Sequence, residues 1–235
     1  MTSVGSLTFS SSMGGAHNYN RWVVRAFEPF FGRSVLEIGV GHGGFYEHLP
    51  PIERYIGLDL DTELVAGCQA RYPGLRFVQG DIADRDLPDR LADARIDTVL
   101  CVNVLEHVDD DRAAVENLLR LLVPGGNLLL FVPAFRRLYT DLDRLAGHRR
   151  RYTKAEVAAL IPPPLGQIRR LEYFNPLGAI GWWLNGLVPH RSLESKEVTG
   201  QVRFFDTYLV PISKLLNPLT RSAFGQSVVC AVRKR

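Results

Sequence analysis

The stretch "VLEIGVGHGG", Val35 to Gly44, decides the fold of this 235-residue chain. A short apolar run enters a glycine-rich turn, the pattern of a buried strand ending where a ligand approaches backbone. Two registers of the glycines are open. Gly39, Gly41 and Gly44 spell G-x-G-x-x-G, the dinucleotide fingerprint, which predicts a pyrophosphate and hydride chemistry. Glu37 with Gly39, Gly41 and Gly43 spells an acid followed by G-x-G-x-G, which predicts a ligand with no phosphate at all. Residues elsewhere must choose.

Around this turn, apolar runs alternate with helical patterns, the signature of βαβ units and a parallel sheet. Ser34–Ile38, Arg54–Leu58, Leu75–Gln79, Asp97–Val102 and Asn127–Val132 read as buried strands, and Ile168–Tyr173 and Ser227–Val232 as two more. A helical pattern over Tyr19–Phe30 precedes the first strand. Dinucleotide-binding domains usually open on the strand itself. Asp111–Leu122 carries Ala114, Val115, Leu118, Leu119 and Leu122 at the spacing of one helix face, and Pro124–Gly126 reads as terminator and turn. Thr153 and Glu156 form T-x-x-E, a capping box that starts another helix.

Asp59 follows the first glycine by about 20 residues, where an acid accepts hydrogen bonds from ribose hydroxyls. That placement suits any adenosine-bearing cofactor. Asp81, in "FVQGDIAD", lies just beyond the third strand, where a carboxylate can accept an adenine amino group. "VNVLEHV" (Val102–Val108) follows the fourth strand, and "LLVPGGNLLL" leads into the fifth. In this order, with "LEIGVGHGG" and "GLDLD", the motifs resemble those of class I S-adenosylmethionine-dependent methyltransferases, from about Tyr19 to the C-terminus. "GHRRRYT", Gly147 to Thr153, resembles the G-H-x-R-R-Y-T signature of a small-molecule branch of that family, the type 11/12-like enzymes, with Asp143 in register.

The resemblance implies a Rossmann-like α/β fold. Its seven-stranded, mostly parallel sheet would have an antiparallel last strand and a helical insertion before it. It implies S-adenosyl-L-methionine as cofactor, with Glu37, Gly39 and Gly41 lining the methionine and ribose side and Asp59 holding the ribose. Asp81 and the backbone at Ile82 would hold adenine, Asn103 would lie near the methionine amino group, and Tyr19 and Arg21 would cover the pocket. The expected reaction is methyl transfer to a small natural-product, glycan-related or lipid-like acceptor, at oxygen. The rivals are an NAD(P)-dependent oxidoreductase and a non-catalytic cofactor-binding module. The first would need a nicotinamide half-site, and no second mononucleotide-binding pattern is visible.

An alcohol or ammonium nucleophile must lose a proton, and histidine is the usual agent near neutral pH. His148 is the first candidate base and His107, beside Glu106, the second. Arg150, Arg151 and Tyr152 are candidate substrate contacts; equally, the arginines would pair with Asp141 or Asp143 and pin the loop. Residues 175–225, a substrate-side helical insertion, bring Trp182 and Trp183 as candidate walls of an apolar pocket. They also leave a homodimer or a peripheral membrane contact open. Asp109–Asp111 reads as helix-start carboxylates favoured by the dipole, so no metal site is expected.

Residues 1–18 read as a flexible tail before a single domain over 19–235. A net charge of +3, with only four lysines, falls short of a nucleic-acid footprint. Three scattered cysteines form no disulfide framework, which fits a cytoplasmic protein. Leu177–Val188 is too short and too broken to span a bilayer.

Overall fold

The computed structural model describes residues 16–187 and 196–235. Its centre is a sheet of β1 (Ser34–Ile38), β2 (Arg54–Asp59), β3 (Arg76–Gln79), β4 (Ile96–Val102), β5 (Leu122–Pro133), β6 (Gly166–Phe174) and β7 (Ser227–Lys234). Their spatial order is β3-β2-β1-β4-β5-β7-β6. Only β7 runs against its neighbours, pairing antiparallel with both β5 and β6. Strand order reverses where β1 meets β4, paired from Val35↔Thr98 to Ile38↔Cys101. Open α/β sheets bind ligands outside the carboxyl ends of the strands at such a switch point.

Helices cover both faces, because successive strand side chains point to opposite sides. Val99, Cys101, Leu128 and Leu130 pack against Ala114, Val115, Leu118 and Leu119 of α4 (Asp111–Leu121); α1 (His17–Ala26), α2 (Thr62–Arg71) and α3 (Leu87–Arg90) precede it. Leu100, Val102, Leu129 and Phe131 face the other way, onto Tyr19, Val23 and Phe27. Burying each such side chain stabilises the fold by about 1.5–3 kcal/mol. α4 begins at Asp110, whose carboxylate accepts from the Ala113 N–H at 2.9 Å. That matches the helix-start reading of the aspartate run.

The expected turn at Pro124–Gly126 is corrected. The chain enters β5 directly at Leu122, and the β4 pairing jumps from Ile96↔Leu122 to Thr98↔Asn127, so these residues form an irregular stretch within the strand. Likewise the helix expected over Tyr19–Phe30 stops at Ala26 and continues only as a 3-10 turn, Glu28–Phe30, because Pro29 removes a donor.

After β5 come α5 (Asp141–Leu145) and α6 (Lys154–Leu160), the latter begun by the Thr153–Glu156 capping box. Between β6 and β7 lie α7 (Pro176–Asn185), α8 (Lys196–Phe204), a π-helical turn (Phe205–Leu209) and α9 (Val210–Thr220). Of the expected tail, residues 1–15 lie outside the described residues, while His17 and Asn18 already belong to α1. That helix has no local side-chain cap; the buried Asp206 accepts from the Asn18 and Tyr19 N–H groups at 3.2 and 2.7 Å. The insertion therefore starts the N-terminal helix from 187 residues away.

Candidate active site

The glycine turn settles its own register. Gly39, Gly41 and Gly43 have φ of 70°, 51° and 77°, while Gly44 is not left-handed. An alternating left-handed path is open to glycine because it lacks Cβ. At Gly39 an added Cβ would also lie 2.5 Å from Val104 Cγ2. Between this turn and β2 there is no α-helix, only a 3-10 turn at Tyr46–His48. A pyrophosphate site needs the N-terminus of a helix at this point. The dinucleotide reading fails on that ground.

Beneath the turn, Glu37 is buried; its Oε2 accepts from the Tyr55 hydroxyl at 2.7 Å, and its Oε1 has no protein partner. Burial pushes its carboxyl up to about 7, with the Tyr55 hydrogen bond opposing and the Asp59 charge adding. Asp59 ends β2 and ties two backbones together. Its Oδ2 accepts from the Gly41 N–H at 2.9 Å and its Oδ1 from the Asp61 N–H at 3.0 Å. Asp81 is exposed, with Oδ1 accepting from the Ala83 N–H, and Ile82 beside it is buried. Asn103 ends β4 in a left-handed conformation, φ 52°, its N–H donating to the Phe131 carbonyl. Glu37, Asp59, Asp81 and Asn103 thus lie at or beyond the carboxyl ends of β1 to β4. An acid with an orphaned oxygen, two more carboxylates and a glycine path fit an adenosine-type cofactor without phosphates.

Two expected lid residues fall elsewhere. Tyr19 is buried, its ring edge-on to Phe131 and Phe205, and burial pushes its hydroxyl up to about 12 despite hydrogen bonds with Ser227 and Asn175. Its ring packs between these aromatic side chains. Arg21 is exposed on α1 and lines a cavity of about 250 Å³ with Arg25, Glu47 and His48.

The second half of the site turns on Asp143, which is fully buried. Its Oδ1 lies 2.7 Å from His148 Nδ1 and accepts from Arg151 Nε at 2.8 Å. Its Oδ2 accepts from the Thr140 N–H at 2.8 Å and from Trp182 Nε1 at 3.0 Å. Burial alone would raise this carboxyl; the His148 hydrogen bond and the Arg151 guanidinium outweigh it and hold the group at about 2. Beside it, Glu106 is buried with neither carboxylate oxygen hydrogen-bonded, and Oε1 lies 3.7 Å from His148 Nε2. Burial pushes Glu106 up to about 7 against the lowering charges of His148 and Arg151.

His107 stands edge-on to His148 at 4.9 Å, with Nδ1 3.3 Å from the Gly147 carbonyl. Burial, with His148 nearby, pushes it down to about 4, which makes it a poor proton acceptor. One atom each from Glu106, His107 and His148 lie within 4.8 Å of one another, a set of metal-capable ligands the aspartate run had concealed.

The expected substrate contacts at Arg150, Arg151 and Tyr152 are corrected. Arg151 is buried between Asp143, the Ala134 carbonyl and the Trp182 ring. Arg150 donates to Asp111 Oδ2 and to the Val108 and Asp109 carbonyls, and Arg149 pairs with Asp109. The Tyr152 hydroxyl donates within a buried pocket shared by the Leu105 carbonyl and Asp111. These residues spend their polar atoms holding the loop, as the ion-pair alternative proposed, with Asp111 in place of Asp141. Trp182 is half-buried and tied to Asp143, whereas Trp183 is exposed. Glu106 and Asp143 were missed as site centres; the signal was their place in "LEH" and beside "GHRRRY".

A methyltransferase domain family model matches residues 36–130. Three curated relatives extend the likeness. A probable S-adenosylmethionine-dependent methyltransferase of Mycolicibacterium smegmatis is 39% identical over 43% of this chain and 38% of its own length. A fatty-acid O-methyltransferase of the same organism is 37% identical over 42% and 36%. A ubiquinone biosynthesis O-methyltransferase of Xylella fastidiosa is 31% identical over 73% and 65%. The chain carries a methyltransferase domain and is similar to S-adenosylmethionine-dependent methyltransferases. The YcgJ protein of Bacillus subtilis shares the fold at TM-score 0.58 and 20% identity, over 93% of this chain and 99% of that one. The matches span well under half the length of the first two curated relatives. S-adenosylmethionine is the family's cofactor, and the oxidoreductase alternative is not favoured. Among the described residues no helix is long and apolar enough to cross a membrane.

Proposed function

We propose that this methyltransferase methylates an oxygen of a small, lipid-like acceptor, with His148 as the base. The cofactor supplies an electrophilic methyl group on a sulfonium sulfur. Glu37, Gly39 and Gly41 would line its methionine and ribose side, Asp59 would accept from the ribose hydroxyls, Asp81 and the Ile82 backbone would meet adenine, and Asn103 would meet the amino group. Arg21, exposed beside the glycine turn's 3-10 segment, is left as a candidate contact at the rim.

The observation that carries the base is the contact of His148 Nδ1 with the buried Asp143 carboxylate at 2.7 Å. Held there, Nδ1 carries the proton and Nε2 presents a lone pair. From there Nε2 would take the proton of an acceptor hydroxyl brought beside it. Asp143 stabilises the resulting imidazolium. Two relatives named above act at oxygen in fatty-acid and ubiquinone chemistry, which supports an apolar acceptor. The test is S-adenosylhomocysteine release against a panel of hydroxylated lipids, quinols and glycolipids. Turnover confined to amines would overturn the oxygen assignment, and turnover confined to carboxylates, which are already ionised, would overturn the base assignment.

A second reading is favoured by the clustering of Glu106, His107 and His148. A divalent cation held by these groups would lower the acceptor's pKa in place of a base. Complete inactivation by chelation, reversed by metal, would select it over the base.

A further inference from the structure

Of the 13 large hydrophobic residues exposed on the described molecule, 10 fall between Ile180 and Leu219, in the insertion. On α7 they are Ile180, Trp183, Leu184 and then Leu187 just past its end; on α9 they are Ile212, Leu215, Leu216 and Leu219. Both sets fall at i, i+3, i+4 and i+7. This is the stripe a helix normally turns to a core, and here it faces outward on two neighbouring helices. Phe204 and Tyr208 repeat the pattern one turn apart on the segment leading into α9.

The outward orientation is set from the inside by polar anchors. Asn175 caps α7 through the Gly178 N–H and accepts from the Ser213 hydroxyl of α9, while its own N–H donates to Asn217. Trp182 is tied to Asp143, and Asp206 to the start of α1. Rolling either helix to hide its stripe would break these buried bonds and leave their polar groups unpaired.

We propose that this face lies on an anionic lipid bilayer, with α7 and α9 parallel to the surface. At 10 and 11 residues, these helices are too short to span and long enough to lie in the interface. Trp183 and Tyr208 have the amphipathic rings that favour the headgroup level. Charge selects the occupant. Across residues 176–187 and 199–225 the only acid is Asp206, which is buried, and Arg203 is an exposed cation beside Phe204, whereas Lys214 turns back over the Trp22 ring and Arg221 pairs with Glu172. A second copy would bring the same cation to a stripe without acids; an anionic leaflet complements it. The surface goes beyond the methyl-transfer reading and stands whether or not His148 is a base.

The experiment is flotation of the full chain with vesicles of phosphatidylglycerol and phosphatidylcholine, and with phosphatidylcholine alone. Expected are binding to the anionic vesicles, weaker binding to the neutral ones, and a blue shift of tryptophan fluorescence that Trp183→Phe removes. Leu215→Glu with Leu219→Glu should reduce vesicle binding by more than about tenfold. Both side chains are exposed, so S-adenosylhomocysteine affinity should be unchanged, which separates lost docking from lost folding. Absence of vesicle binding, or binding indifferent to the double substitution, overturns the proposal. So does a dimer, seen by light scattering, that the double substitution dissolves while vesicles are ignored.

Discussion

His148 Nδ1 lies 2.7 Å from Oδ1 of Asp143, a carboxylate with no solvent exposure that also carries Arg151 and Trp182. One acid therefore orients the candidate base, neutralises a buried guanidinium and anchors the insertion. Different substitutions around it should have separable effects.

His148→Gln should bind S-adenosylhomocysteine with unchanged affinity and turn over about 10²–10⁴-fold more slowly, the usual loss for a general base. The defect should shrink at high pH if the acceptor ionises unaided. Calorimetry and a product-release assay check the two halves. His107→Gln should lose far less, since its low basicity makes it a poor proton acceptor.

Asp143→Asn should lower stability by about 3–5 kcal/mol, because Arg151 would remain buried without its counter-charge. Thermal melting reads this directly. A loss of activity with no change in melting temperature would show that the carboxylate serves only His148.

The pH dependence of stability has a definite sign. Asp143 is held at about 2, below its ordinary 3.8, so its contribution is present above 3.8 and is lost as pH falls through 2. Glu37 and Glu106 are raised from 4.5 to about 7, so the folded state binds extra protons in that window. Their contribution is present below 4.5 and is lost as pH rises through about 7. The melting temperature of the free protein should therefore decline between these two values, and Glu106→Gln should roughly halve the slope.

Asp59→Ala should weaken cofactor binding by about 1.5–3 kcal/mol, the scale of hydrogen bonds to a charged group. It should also lower the melting temperature, because the same carboxylate holds the Gly41 and Asp61 N–H groups. Gly39→Ala should cost stability as well, about 1–2 kcal/mol for the left-handed backbone alone, before the clash with Val104.

Chelation by EDTA should leave turnover unchanged if His148 is the base. Inactivation restored by a divalent cation would move Glu106, His107 and His148 from proton transfer to metal binding.

The sequence by itself determined the strand and helix identities, because apolar runs and the α4 stripe report burial through local periodicity. Its glycines, with Asp59 and Asp81 at strand ends, also pointed to an adenosine-bearing cofactor, since backbone freedom and strand-end position are local properties. The register of that turn was undecided locally; it took φ at Gly43 and the missing helix after it to choose. What "GHRRRY" does was likewise settled only in space. Arg150, Arg151 and Tyr152 look like a ligand-binding run, yet Asp111 of α4, Asp143 of α5 and the carbonyls of Leu105, Val108, Asp109 and Ala134 absorb their donors. Asp206 capping α1 and the outward stripes of α7 and α9 were equally hidden. A periodic apolar stripe states that a helix has a face, and only the packed fold states whether that face meets the core or the outside.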